Sequence, residues 1–164
     1  MTIRHIIVMG VAGSGKTTLA RALAAHLSRP FIEGDEFHSA ANKGRMAAGQ
    51  PLTNADRECW IAALTTAVRT RNEPCIIACS ALNPVVRGWI EAGLGHAPAY
   101  LLLHGPADLL RERLSRRQGH FFDPTLLTSQ LETLDPPTHA TRIDIALTTD
   151  DQLRFALAAL DEQR

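Results

Sequence analysis

Short apolar runs alternate with helical periodicities along this chain. Ile6 to Met9 is continuous and apolar, the pattern of a strand buried on both faces. A Gly-rich stretch follows. Leu19, Leu23 and Leu27, with Ala20 and Ala24, then predict a helix packed back on that strand. Pro30 closes it, and Phe31-Ile32 predicts a short second strand. Ser39 is placed to cap a helix reaching Ala48, with Gly49 as its stop. Thr53 and Asp56 have capping-box spacing, and Trp60, Ile61, Leu64, Ala67 and Val68 give the next helix one apolar face. Cys75 to Cys79 predicts a buried strand, Asn83 to Ala92 a helix, and Tyr100 to Leu103 another strand. Pro106 suits the first helical position of a segment carrying Leu109, Leu110 and Leu114 and ending at Gly119. Residues 120–125 read as a mobile loop before a short helix over Thr125 to Leu134. Ile143 to Leu147 predicts the last strand, and Leu153, Ala156, Leu157 and Leu160 a final helix. About five strands interleaved with helices predict an α/β fold with a mainly parallel sheet. Periodicity does not set the strand order.

Composition narrows the possibilities. At 164 residues there is room for one domain, 1–164, able to bury a core without disulfides or a metal staple. Lys plus Arg and Asp plus Glu both number 17, so charge makes no case for nucleic acid or a membrane surface. No apolar run approaches a membrane span, and the N-terminus does not read as a signal peptide. Cys59, Cys75 and Cys79 form no metal-ligand spacing; an odd, sparse count suits a reducing, cytoplasmic setting with the thiols in the core.

The chemistry begins directly after the first strand. Gly10-Val11-Ala12-Gly13-Ser14-Gly15-Lys16-Thr17 matches GxxxxGK[ST] in full, between a strand and an amphipathic helix. Glycines allow a tight turn whose N–H groups converge on a polyphosphate, at the positive end of the following helix. In this pattern Lys16 reaches the β and γ phosphates and the Thr17 hydroxyl ligates Mg²⁺. A nucleoside triphosphate with Mg²⁺ is therefore expected, and the motif alone does not choose between a kinase, a switch GTPase and an ATP-driven machine. No NKxD segment marks a GTPase, and the strand CIIAC runs into Ser80 rather than into the acidic residue many ATPases carry. The nearest carboxylate after a candidate second strand is Asp35, within Glu33-Gly34-Asp35-Glu36. Transfer to a small acceptor fits these absences.

The chain resembles gluconokinases of the small P-loop type, neighbours of shikimate and nucleoside-monophosphate kinases. The likeness covers nearly the whole sequence. It rests on the phosphate loop, Gly34-Asp35 with His38 and Asn42, Met46, Gly49-x-Pro51-Leu52 and Asp56-Arg57 with Trp60. It continues through Cys79-Ser80-Ala81-Leu82, Arg87, Gly119-His120-Phe121-Phe122, and Gln130 through Leu134. Several positions depart from that pattern: Asn83 stands for a usual Lys, Val86 for Tyr, Ser39 for Pro, Asn54 for Asp, Cys59 for Pro, Arg45 for Lys and Thr148 for a frequent Asp.

The resemblance implies a P-loop NTPase-type three-layer sandwich with a mobile lid near 116–128. It also implies phosphorylation of D-gluconate by ATP, and a homodimer. Phosphoryl transfer asks mainly for positioning and charge neutralisation. Asp35 is the candidate to orient the acceptor hydroxyl and take its proton; capping the next helix or holding a Mg²⁺ water are its other readings. A carboxylate acceptor favours a guanidinium, so Arg57 and then Arg87 are the candidates for it. Asp56 is expected to cap. Arg117 and Arg113 are the expected lid arginines, on the transferring group and the nucleotide, with Arg116 on the surface beside Glu112. His38 and His120 are candidate acceptor contacts. Another acceptor, such as shikimate or a nucleotide, or an ATP-sensing module without catalysis, are the competing readings.

Overall fold

The computed structural model describes residues 5–117 and 124–163. Its strands are β1 (Ile6–Met9), β2 (Phe31–Glu33), β3 (Ile76–Ala78), β4 (Ala99–His104) and β5 (Thr141–Asp144). The helices are α1 (Lys16–Leu27), α2 (Ala40–Ala47), α3 (Asn54–Arg71), α4 (Pro84–Leu94), α5 (Ala107–Ser115), α6 (Pro124–Thr133) and α7 (Thr149–Glu162). A 3-10 turn, Gly34–Phe37, follows β2.

All strand pairs are parallel, in the order β2-β3-β1-β4-β5. Central β1 is buried throughout because helices cover both faces of the sheet. Its side chains alternate between two cores. Ile6 and Val8 join Leu19, Leu23, Leu110 and Leu160 on one face. Ile7 and Met9 join Trp60, Ile61, Leu64 and Ile90 on the other. This is the expected three-layer α/β arrangement. The chain moves from β1 toward β2 on one side and later from β3 across to β4 on the other. That reversal opens a crevice at the carboxyl ends of the central strands, where α/β sheets bind ligands.

Capping explains most helix starts. Thr53 and Asp56 form the reciprocal capping box of α3. Ser39, Asn83 and Thr148 each accept an N–H three residues on, from Asn42 (3.1 Å), Val86 (2.9 Å) and Asp151 (3.2 Å). Three departures from the family pattern are therefore helix caps in this chain. Helices α3 and α4 lie so close that a Cβ on Gly93 would collide with the Thr65 side chain.

Some boundaries differ from expectation. Pro106 is the N-cap of α5, not its first helical residue, and α5 stops at Ser115, short of Gly119. The last strand lies at Thr141–Asp144 rather than Ile143–Leu147. It is an edge strand with three of four residues outside the core, so no apolar run marks it. Cys75 and Cys79 are core residues, whereas Cys59 is exposed on α3, off the face defined by Trp60, Ile61 and Leu64.

Candidate active site

The phosphate loop spans the turn from the end of β1 to the start of α1. A Cβ on Gly10 (φ +146°) would lie 2.7 Å from the Leu103 carbonyl oxygen, so only glycine fits where the loop leaves the sheet. Lys16 folds over the loop and its Nζ donates to the Val11 carbonyl at 3.0 Å. The Ser14 N–H donates to the same carbonyl at 3.3 Å. The Ala12 N–H donates to Oε1 of Gln130, on α6, at 2.7 Å. Burial lowers the Lys16 pKa, opposed first by the nearby carboxylate of Asp35 and also by Glu33.

Glu33 closes β2 and joins the loop to the next turn. The Thr17 hydroxyl donates to its Oε2 at 2.5 Å, and the Asp35 N–H approaches its Oε1 at 3.5 Å. Sequence reasoning assigned Glu33 no role; its place at the end of a strand, in an acidic tetrapeptide, was the available signal. The turn itself is held by Trp60, whose Nε1 donates to the Gly34 carbonyl at 2.7 Å. Asp35 leaves this turn with its carboxyl 67% exposed.

A cleft of about 340 Å³ connects these parts. Ala12, Gly13, Gly15, Lys16 and Thr17 line it, as do Asp35, His38, Arg57 and Arg117. Lys43 and Met46 of α2 and Leu126, Ser129, Gln130 and Thr133 of α6 complete its walls. Gly10, Val11 and Ser14 are buried beneath the loop instead of lining the cleft.

His38 stacks on Trp60 with ring centroids 4.0 Å apart, and its Nε2 lies 3.9 Å from Asp35 Oδ1. Burial lowers its pKa; Asp35 opposes that, and Lys43 and Arg57 add to it. The neutral ring is thus favoured, and the contact with Asp35 is a weak one. Arg57 donates to the Asn54 side chain at 3.2 Å, and burial lowers its pKa as well. Asp56 is a cap, as expected, and its carboxylate also pairs with Arg45 at 2.6 Å. Backbone and hydroxyl hydrogen bonds from Thr53 hold its pKa down.

Two expected arginines fall elsewhere. Arg87 is buried outside the cleft, where it donates to the carbonyls of Ala81 (2.9 Å) and Asp135 (2.7 Å). Its guanidinium serves backbone acceptors that burial would otherwise leave unpaired, so it is not free for an acceptor carboxylate. Arg113 does not line the cleft and donates to the Ile145 carbonyl at 2.5 Å, tying α5 to the segment after β5. Arg116 pairs with Glu112 on the surface, as expected. His120, Phe121 and Phe122 lie outside the described residues, as does the middle of the expected lid. Lys43 was not anticipated: nothing in its local sequence shows that α2 delivers it beside Arg57.

The chain is similar to known proteins in sequence and in fold. Residues 6–137 match the AAA domain family. The thermosensitive gluconokinase of Escherichia coli (strain K12) is 38% identical, the alignment covering 100% of this chain and 92% of that protein. The gluconokinase of Gluconobacter oxydans (strain 621H) is 40% identical over 82% of this chain and 76% of its own length. The chain belongs to the gluconokinase family. The crystal structure of a gluconokinase from Sinorhizobium meliloti 1021 agrees, with a TM-score of 0.88 at 38% identity, covering 98% of this chain and 93% of that one. A P-loop kinase of this family uses a nucleotide and a small-molecule acceptor. Among the described residues, no helix is long and apolar enough to cross a membrane.

Proposed function

We propose that this protein transfers the γ-phosphoryl group of ATP to the 6-hydroxyl of D-gluconate, giving 6-phospho-D-gluconate and ADP. The observation that carries the reading is the composition of one cleft. Lys16 and the phosphate loop, the cations Arg57 and Lys43, and the open carboxyl of Asp35 all line it. A sugar acid matches that set of groups, with an anion for Arg57 and Lys43 and a hydroxyl for the carboxylate.

In the reaction, the acceptor oxygen forms a bond to the γ-phosphorus while the bond to the ADP oxygen breaks. Asp35 orients the hydroxyl and takes its proton. Lys16 follows the charge that builds on the phosphoryl oxygens, and Arg117 adds to it from the end of α5. Arg57, with Lys43, holds the acceptor carboxylate, and His38 on Trp60 shapes the wall between them. Arg113, committed to the Ile145 carbonyl away from the cleft, takes no part, and His120 stays a candidate acceptor contact.

Mg²⁺ fits the donors present. The Thr17 hydroxyl and the Glu33 carboxylate form a pair of hard oxygens at the loop. Among the described residues no three His, Cys, Asp or Glu side chains cluster as a metal cage. Mg²⁺ needs few protein ligands when phosphates and waters supply the rest. Thr17 would hold it, with Glu33 alongside, and the ion would neutralise phosphate charge.

The proposal includes a single kinase domain with a lid near 116–128, a cytoplasmic setting that suits three free cysteines, and a homodimer. Release of ADP, measured across a panel of acceptors, tests the reaction. Turnover with gluconate and not with shikimate or nucleoside monophosphates is expected. Turnover confined to either of those overturns the acceptor, and ATP binding without any turnover indicates a sensing module.

A further inference from the structure

The peptide unit joining Val11 and Ala12 is gripped on both sides. Its carbonyl accepts from Lys16 Nζ at 3.0 Å, and its N–H donates to Gln130 Oε1 at 2.7 Å. On the carbonyl side the loop helps to hold it, since the Ser14 N–H donates to the same Val11 oxygen at 3.3 Å. On the N–H side its orientation depends on a partner from outside the loop.

Gln130 is well placed to be one, because α6 is itself anchored. Immediately after it, the Asp135 N–H donates to the Leu82 carbonyl at 2.8 Å. Arg87 ties the Asp135 carbonyl (2.7 Å) to that of Ala81 (2.9 Å). The loop is thus braced, through Gln130, against the turn that leaves β3. Reversing the Val11–Ala12 plane would turn the carbonyl away from Lys16 and release the ammonium from its place in the cleft.

We infer that Gln130 is a positioning residue, which sets the Val11–Ala12 peptide and through it the Lys16 ammonium for phosphate binding. The role concerns the phosphate loop alone and rests on reading that loop as a phosphate site. It goes beyond the acceptor chemistry proposed above.

The first test needs neither nucleotide nor acceptor, so its outcome is separate from that of the gluconate reading. Amide exchange at Ala12, followed by NMR in the free protein, is expected to quicken about tenfold or more in Gln130→Ala, as for a protected amide losing its partner. Gln130→Glu, whose carboxylate oxygen can accept the same N–H, is expected to restore protection. In steady state, Gln130→Ala is expected to raise the KM for ATP and to lower kcat about tenfold, with the gluconate KM within about twofold, as misplacement of one catalytic group implies. Unchanged Ala12 exchange in Gln130→Ala overturns the inference. So does a parallel rise of both KM values with a lower melting temperature, which is the signature of general loosening.

Discussion

The phosphate loop and the cations proposed for the acceptor line one cleft but are made of different material. The loop amides and the Lys16 ammonium follow the end of β1, held by hydrogen bonds at the Val11–Ala12 peptide. Arg57, Lys43 and His38 reach in from α3, α2 and the turn after β2, and their aim depends on helix packing. A backbone cradle recognises any polyphosphate. An array of side chains recognises one outline and changes when a single helix shifts. Nucleotide use is therefore the general property of this molecule and acceptor choice the particular one.

The largest effect is expected where both sets of groups meet the chemistry. Lys16→Ala should lower kcat/KM for ATP about a thousandfold, the scale of losing a preorganised charge on developing anions. Asp35→Asn should lower kcat about a hundredfold while the ATP dissociation constant, from calorimetry, stays within about twofold. Normal turnover in that variant would remove Asp35 from the mechanism. Arg57→Ala should sharpen the contrast: the gluconate KM rises about ten- to fiftyfold, as for one lost charge-assisted hydrogen-bond pair, with the ATP KM unchanged. An equal rise for ATP would mean the two sets are not separate.

A smaller effect concerns pH. The folded state holds the His38 pKa below its unfolded value, near 6.5. The unfolded chain thus binds the extra proton first. The resulting stability is constant above about pH 6.5 and falls away as the pH drops below it. Urea midpoints of wild type and His38→Gln should draw together on going from pH 7.5 to pH 5, by about the difference this linkage allows. The least change is expected from thiol reagents. Burial, with the Asp35 charge behind it, pushes the Cys79 thiol up to about 12. Native protein at about pH 8 should thus label at exposed Cys59 and spare Cys79, as peptide mapping would show.

Much of this was legible in the chain, for local reasons. The phosphate loop is a contiguous motif between a buried strand and an amphipathic helix, and a capping box is written in four consecutive residues. Thr53 and Asp56 therefore read directly. What depends on distant partners did not. Arg87 and Arg57 are both arginines near helix starts, and only the fold shows that one meets two buried carbonyls and the other the cleft. Glu33 and Gln130 each act on the loop across a sequence gap that no spacing rule spans. Thr141–Asp144 escaped because an edge strand needs little apolar character.

The tight crossing at Gly93 offers a handle of another kind. Helix α4 rests against Thr65 with no room for even a methyl group, and α3 carries Arg57 at its opposite end. Bulk added at position 93 would press on the helix that carries both Arg57 and Trp60, whose indole holds the Gly34 carbonyl beside Asp35. Changes of taste in such a kinase can arise far from anything the sugar touches.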